Sequence, residues 1–376
     1  MESADGNRFK IVPFKEQFLP RLKELIHDGW DPNHVLLKSD ELFRWHYTGF
    51  GQKAGLNMPL VFDGDEMIGY RLMTPIEIML SDKQGNHQTI TSSGSSLYYI
   101  DPRYRGMKLG VKLERHVIEY YGGYFTTAAN PVTAVPILKR SGTVMIDTML
   151  RYFRPLSSDI SSLIIRDCGH VWKFVQPRSI AAPSTLDPQA ATRFWLDSVE
   201  GVNVTSLNRS EAFWQWRYLD DPVYKYHFFS DGNGMVIARI CRLYDEKRQR
   251  TKTYVLRILE VIPSNRSVWS GNPDAGLSSL IDSVCGWGRE NGCVAAEFYT
   301  TTSHFNAVMG VAGFEEINLQ KDLADSIVSY YEPCTSDHRL SNVGIQSPFV
   351  PHDFDFENSY FTLADADQDR ANILPQ

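Results

Sequence analysis

The stretch IDPRYRGMKLG, residues 100–110, joins an apolar run to a helical pattern. It gathers two arginines, a lysine and two glycines in a chain of net charge −7. A strand ending at Ile100 and a helix beginning near Leu109 leave amide N–H groups unpaired at the helix N-terminus. With the helix dipole, these donors favour an anion, and Arg105 and Lys108 would add charge. The alternative is an ordinary turn whose basic side chains are solvated.

Two glycines in this stretch strengthen the anion-site hypothesis. Gly106 and Gly110 would let a ligand approach the backbone closely and would permit the dihedral angles of an amide nest. Neither GxxxxGK[ST] nor a GxGxxG between strand and helix occurs, so the loop is not one of the better-known phosphate loops.

Length and composition narrow the class of protein. A chain of 376 residues favours two domains, and 43% hydrophobic with 22% charged residues is ordinary for a globular protein. The mild acidity argues against a nucleic-acid binder, which would usually show a basic stripe. The sequence contains no HExxH, no Cys/His cluster and no GxSxG, so we expect neither a metal site nor a serine hydrolase.

The termini and the cysteines predict a cytoplasmic protein. Residues 1–13 lack a basic-then-apolar pattern, and no apolar run approaches the roughly 20 residues of a membrane helix. We therefore expect no membrane insertion. The five cysteines are scattered without CxxC spacing, which favours free thiols in a reducing compartment: Cys168, Cys241, Cys285, Cys293 and Cys334.

Similar segments recur along the chain in the same order. SDELFRWHY (39–47) corresponds to SEAFWQWRY (210–218), and each begins with a serine suited to cap a helix. LYYIDPRYRGMKLG (97–110) corresponds to ILEVIPSNRSVWSG (258–271). The paired segments are 171 and 161 residues apart. Matches in the same order at such spacings indicate duplication of a whole domain rather than a short solenoid repeat.

Each copy predicts a helix, the W-x-Y helix, alternating strands, the loop and its helix, and a further strand and helix. The opening helices are expected at 16–27 and about 187–198. The fold class is therefore mixed α/β, with two tandem domains. We place an N-terminal domain at 1–156, a connecting segment at 157–180, a C-terminal domain at 181–333 and a tail at 334–376.

The P-x-x-R-G-x-x-x-G loop, with its strand and helix, resembles the acetyl-CoA pyrophosphate site of the GNAT superfamily of N-acetyltransferases. That signature is usually Q/R-x-x-G-x-G/A, in which Arg105 would be first and Gly110 last, while Lys108 replaces the middle glycine. FNAVMGVAGF (305–314) resembles the family's last helix with its closing Gly-Phe. The resemblance covers both halves and implies tandem GNAT-like domains.

The resemblance implies a set of cofactor contacts. The backbone of Tyr99 and Ile100 would pair with the pantetheine arm of acetyl-CoA, or of another acyl-CoA, and Asn130 would lie near the thiol. The pyrophosphate would lie beside Arg105 and accept hydrogen bonds from the backbone amides of Gly106, Met107, Lys108, Leu109 and Gly110. The second copy interposes Trp269, which would crowd a phosphate, so its cofactor loop is expected to be degenerate.

Acyl transfer to an amine needs a base and a proton for the leaving thiolate. Many relatives place a tyrosine four residues before the final glycine, but Leu138 and Met309 occupy those positions here. The catalytic candidates are His46, Tyr99 and Glu260, with further candidates at Tyr98, Asp101 and His116. The alternative is that these are core or surface residues.

The resemblance predicts an acetyl-CoA-dependent N-acetyltransferase acting on a small-molecule amine, such as an amino sugar of bacterial cell-surface polysaccharides. One alternative is a longer-chain acyl or Fem-like aminoacyl transferase. Another is a binding or scaffold protein on the same fold. The acceptor and the oligomeric state are not decided by the sequence.

Overall fold

Both halves of the chain run through one order of elements, as the repeat predicts. The computed structural model describes residues 8–329, 331, 341–351, 353–365 and 373–374. Each half has opening helices, three antiparallel strands, a loop with a long helix, a strand parallel to the third, and a short helix. The mixed α/β class is confirmed.

The strands are β1 (Phe9–Pro13), β2 (Pro59–Asp63), β3 (Glu66–Ser81), β4 (His87–Ile100), β5 (Tyr124–Thr127), β6 (Val144–Ile146), β7 (Leu150–Pro155), β8 (Val204–Leu207), β9 (His227–Asp231), β10 (Gly234–Tyr244), β11 (Arg250–Pro263), β12 (Cys293–Thr300), β13 (Glu315–Glu316), β14 (Val343–Gln346) and β15 (Ser359–Tyr360). The α-helices are α1 (Leu19–Gly29), α2 (Asp40–Thr48), α3 (Leu109–Tyr121), α4 (Val135–Arg140), α5 (Pro188–Val199), α6 (Glu211–Trp214), α7 (Ala275–Glu290), α8 (Asn306–Val311) and α9 (Lys321–Ala324). A π-helical turn, Gln215–Leu219, extends α6.

The serines that were expected to start the W-x-Y helices do so. Ser39 Oγ accepts a hydrogen bond from Leu42 N at 3.1 Å, and Ser210 Oγ accepts one from Phe213 N at 3.4 Å. Each bond satisfies one of the free N–H groups of a first helical turn. The repeat in the sequence is therefore a repeat in local structure.

The two sheets exchange strands between the halves. The first has the order β1-β2-β3-β4-β5-β14-β6, and the second has the order β13-β7-β12-β11-β10-β9. Thus β14, from near the C-terminus, lies between β5 and β6 of the first half. In the same place of the second sheet, β7 of the first half lies between β12 and β13. Each sheet therefore needs a strand from the other half.

The strand exchange crosses the domain boundaries that were expected at residues 156, 180 and 333. The division into domains stays a prediction. The strand just before residue 156 belongs to the second sheet, and a strand after 333 belongs to the first. Cys334 lies outside the described residues, and Cys168, Cys285 and Cys293 are free thiols. In the described ranges no helix has the length and apolar character that a bilayer crossing needs.

The halves meet at the two W-x-Y helices through a reciprocal contact. The indole Nε1 of Trp45 donates to the carbonyl of Trp216 at 2.7 Å, and Trp216 Nε1 donates to the carbonyl of Trp45 at 3.0 Å. The rings stack with centroids 5.4 Å apart and planes 19° apart. Both carbonyls belong to a last helical turn, where intrahelical partners run out. Such mutual contact of equivalent residues is the pattern of a two-fold interface.

We expect Trp45→Phe and Trp216→Phe each to lower the free energy of unfolding by about 1–3 kcal/mol, because each leaves a buried carbonyl without its donor. Since the two residues touch, the double variant should depart from additivity. Urea denaturation measures both effects. Trp30→Phe is the control, because Trp30 is 54% exposed; equal losses in the control would contradict the role given to the pair.

Candidate active site

A cavity opens where two parallel strands of the first sheet stop pairing. β4 and β5 pair only at Gly94–Phe125 and Ser95–Thr126, although β4 continues to Ile100. Residues 95–100 and 126–130 line a cavity of about 890 Å³ between them. The gap exposes the edge of β4, whose backbone donors and acceptors can pair with an extended ligand.

A β-bulge in β4 lies at the centre of this edge. Arg71 pairs with Tyr98 and Met73 pairs with Ser95, so Ser96 and Leu97 together face one residue of β3. Such a bulge breaks the ladder locally and turns the strand. Ser96 Oγ lies 2.9 Å from Tyr47 Oη and donates to the carbonyl of Leu72 at 3.3 Å. The bulge is thus held by a side chain of α2.

The loop that opened the sequence analysis lies at the mouth of the cavity. Asp101 Oδ1 accepts from Arg103 N, and the Arg103 guanidinium pairs with Asp101 and Glu66. The hydrogen bond from Arg103 lowers the pKa of Asp101. The charge of Arg103 is therefore neutralised by these two carboxylates. Arg105 and Lys108 form no ion pair within the described residues.

Lys108 explains how the loop works without the signature's middle glycine. It has φ 57° and ψ 17°, the left-handed conformation, and directly precedes α3. Glycine adopts this conformation freely, whereas an L side chain pays about 1–2 kcal/mol. The sequence showed the substitution but not that the backbone keeps the glycine-like angles. Gly106 also has a positive φ of 85°, and a Cβ there would meet no atom within 4 Å.

The structure brings most of the predicted cofactor residues to one cavity. Met107 is not among the lining residues and is 45% exposed. The side-chain Oδ1 of Asn130 accepts from the amides of Val132 and Thr133, both at 3.0 Å, so it shapes the turn after β5. The predicted residues that line the cavity are Tyr99, Ile100, Arg105, Gly106, Lys108, Leu109, Gly110 and Asn130.

The catalytic candidates do not all reach the cavity. His46, which is buried, and Tyr99 line it, whereas Glu260, Asp101 and His116 do not. Tyr98 and Tyr99 face opposite sides of β4, as strand alternation requires. Both nevertheless line the cavity, because it extends along both faces. Strand alternation by itself would bring only one of the two tyrosines to a site on a single face of the sheet, so this prediction from alternation is wrong here.

Sequence reasoning missed a buried ion pair in the cavity wall. Arg71 of β3 pairs with Glu114 of α3, and both are more than nine-tenths buried. The Arg71 guanidinium also lies 4.4 Å from the Tyr124 ring centre and donates to Ser95 Oγ at 3.2 Å. An arginine inside the long apolar run 66–81 was the available signal, because buried charges are almost always paired.

The second half also lines this cavity. The lining residues that come from the second half include Arg257, Tyr299 and Leu363. No local sequence pattern relates these residues to the first half's loop. Arg257 and Arg151 both bind the Glu297 carboxylate, at 2.8 Å each. Within the described chain no group of three or more His, Cys, Asp or Glu side chains could hold a metal ion.

The equivalent position of the second half is filled with side chains. Val261 corresponds to Ile100 in the repeat; its N–H donates to Tyr360 Oη at 2.9 Å, and its carbonyl accepts from Tyr360 at 3.0 Å. Trp269 is buried and donates to Ser198 Oγ at 3.1 Å. The Tyr360 ring lies 5.4 Å from Trp269 and 5.7 Å from Phe305. In the first half the equivalent carbonyl, that of Ile100, accepts from Arg105 Nε at 3.3 Å and borders the cavity, whereas aromatic rings fill the position here.

Glu260 belongs to this filled region. Its carboxylate accepts from Arg209 at 3.1 and 3.2 Å and from the Tyr218 hydroxyl at 3.2 Å. Arg209 also binds Asp365 at 3.0 Å. Burial raises the pKa of Glu260 to about 7, although Arg209 opposes the shift. The geometry gives Glu260 a place in a buried network rather than at the cavity.

The fit of Gly110 against Tyr98 can be tested directly. A Cβ at Gly110 would lie 2.1 Å from Tyr98 Oη but 3.4 Å from Cζ. We expect Gly110→Ala to lower the free energy of unfolding by about 1–3 kcal/mol through overpacking. Adding Tyr98→Phe should restore most of the loss in thermal denaturation. Gly232→Ala, where a Cβ meets nothing within 4 Å, is the control. An unrescued double variant would refute the contact.

Comparison with known proteins gives the fold. No family model and no curated protein matches the sequence. A GCN5-related N-acetyltransferase from Anabaena variabilis ATCC 29413 is 12% identical, with 90% of this chain and 72% of that chain covered and a TM-score of 0.50. A conserved protein of unknown function from Enterococcus faecalis V583 is 10% identical, with 90% and 72% covered and a TM-score of 0.52.

N-myristoyltransferase of Saccharomyces cerevisiae, solved with bound myristoyl-CoA, is 10% identical, with 94% of this chain and 83% of that chain covered and a TM-score of 0.52. Such coverage leaves little of the chain outside the shared architecture. Together with the open strand edge and the loop before α3, these likenesses show that the chain has a GNAT-like fold.

Proposed function

We propose that the first half binds acetyl-CoA and that the protein transfers the acetyl group to the amine of a small molecule. The observation that carries this proposal is the cavity between β4 and β5, which ends at the loop before α3. An exposed strand edge suits the amide groups of a pantetheine arm, and a helix N-terminus beside cations suits a pyrophosphate.

The residues at the mouth fit a phosphate-bearing cosubstrate. In the proposal, the backbone of Tyr99 and Ile100 binds the pantetheine arm and the amides of residues 106–110 bind the pyrophosphate. Arg105 and Lys108 add two positive charges, which strengthen such bonds. The space around Gly106, which a Cβ would leave open, gives a phosphate close access to the backbone.

The proposed reaction attaches a neutral amine to the thioester carbonyl and then expels the thiolate. The C–N bond forms first and gives a tetrahedral oxyanion; the C–S bond then breaks, and the amine nitrogen loses one proton while the thiolate gains one. Backbone N–H groups at the β4 bulge would stabilise the oxyanion. We assign His46 as the base that takes the amine proton. Tyr99, whose pKa is raised by burial, keeps its proton near neutral pH and is proposed as the acid.

The acceptor side supports a small polar amine. It is walled by α1, α2 and the second half, and it includes Gly29, Trp30, Tyr47 and Tyr299. Aromatic rings give an acceptor apolar contact area, and their hydroxyls offer hydrogen bonds. We propose an amino sugar as the acceptor and, from the cysteines scattered without CxxC spacing, a cytoplasmic enzyme.

We infer one cosubstrate site per chain, because Tyr360 and Trp269 fill the second cleft. Calorimetry with acetyl-CoA should give about one site with micromolar affinity, roughly −8 kcal/mol. Arg105→Gln should weaken binding about fivefold or more through loss of a charge-assisted bond. Arg266→Gln, the equivalent position of the second loop, should leave it unchanged.

Three other outcomes would each change the proposal. Two sites would show that the second half binds the cosubstrate as well. Equal losses in both arginine variants would remove the first loop from the site. No binding by folded protein would leave a scaffold on this fold.

A longer acyl donor is the second candidate, favoured by the likeness to the yeast N-myristoyltransferase that was solved with myristoyl-CoA. The same titration with myristoyl-CoA distinguishes the two. We expect no more than a tenfold gain over acetyl-CoA. A gain of a hundredfold or more, about 2.7 kcal/mol, would show that the cavity accepts a long chain.

A further inference from the structure

The segment between α1 and α2 presents a histidine to the cavity. His34 lines the cavity and is 9% exposed. Its backbone N–H donates to the Asp31 carbonyl at 3.0 Å, and its Nδ1 accepts from Leu36 N at 3.3 Å. The ring is therefore fixed by the short turn that it begins.

The hydrogen bond at Nδ1 decides the tautomer of His34. An imidazole nitrogen that accepts a backbone N–H cannot carry the ring proton, so the proton of the neutral ring lies at Nε2. Nε2 is on the ring edge away from the turn and bonds to none of the described residues. His34 thus offers a hydrogen-bond donor rather than a base.

The surroundings of His34 keep the ring neutral. Burial lowers its pKa to about 4; Arg248 acts in the same direction, and Asp31 opposes them. The ring therefore remains uncharged through the range in which an acetyl transfer would be measured.

The second half holds this segment in place. Arg248 lies in the β10–β11 hairpin, and its guanidinium donates to Asp31 Oδ2 at 2.8 Å and to the Asn33 carbonyl at 3.1 Å. Asp31 Oδ1 accepts from Asn33 N at 2.8 Å. One side chain of the second half thus fixes the residues that carry His34.

We propose that Nε2–H of His34 binds an oxygen of the acceptor, and that Arg248 is the positioning residue that aims it. This inference rests on the proposed function and deepens it. It names the acceptor class as amines that also carry a hydroxyl or carbonyl oxygen, because a buried donor left unbonded disfavours a hydrocarbon analogue.

The first test needs no turnover. Nitrogen-15 NMR of histidine-labelled protein, assigned with His34→Gln, should show a neutral ring protonated at Nε2 from pH 8 to pH 5. D-glucosamine should shift the His34 Nε2 signal, whereas cyclohexylamine, which lacks the oxygens, should not. A proton on Nδ1, or equal or absent shifts with the two probes, would overturn the proposal.

The second test separates binding from chemistry. With D-glucosamine as acceptor, His34→Leu should raise the KM for D-glucosamine about tenfold and leave the KM for acetyl-CoA unchanged. His34→Gln keeps an N–H donor and should recover most of the loss. Arg248→Met should raise the same KM, while His27→Leu, on an exposed side chain, should have no effect.

The outcomes distinguish this inference from the proposed function. If wild-type protein does not bind acetyl-CoA, the proposed function fails, whatever the NMR shows. If acetyl-CoA binds and D-glucosamine is acetylated with the same KM by wild type and His34→Leu, only the role of His34 fails.

Discussion

The reciprocal hydrogen bonds of Trp45 and Trp216 set the arrangement of the two halves. Each indole satisfies a carbonyl in the last turn of the other's helix, at 2.7 and 3.0 Å, so each helix end completes the other. The same helix α2 carries His46 and Tyr47, which line the cavity, and Tyr47 contacts the bulge through Ser96. A shift at this contact would therefore move the acceptor wall against the open strand edge.

Strand exchange explains why the cavity has walls from both halves. β7 of the first half belongs to the second sheet, and β14 belongs to the first sheet. Neither half therefore forms its full sheet by itself. The second half supplies Arg257 and Tyr299 to the cavity and Arg248 to the segment that bears His34. The second half, although its own cleft is filled, thus still contributes residues to the cavity and fixes the segment that bears His34. This gives a physical reason for keeping both copies.

The two copies differ most where the cosubstrate site is proposed. In the first, pairing between the parallel strands stops after two residue pairs and leaves the edge of β4 open. In the second, the hydroxyl of Tyr360 bonds both backbone groups of Val261, and Trp269 occupies the space before α7. These rings and the buried Arg209–Glu260 pair fill the position that is an open cavity in the first half.

The sequence by itself determined the duplication, the W-x-Y helices with their capping serines, the loop of residues 100–110 and the order of elements, because local patterns encode capping, turns and periodicity. Most of the cofactor-binding residues that it predicted also line the cavity. Only the tertiary structure decided which strands change sheets, that Glu260 is enclosed, that Lys108 keeps a glycine's backbone angles and that His34 faces the cavity. These features depend on contacts between residues far apart in the chain, such as Arg248 with Asp31, and no local pattern records such contacts.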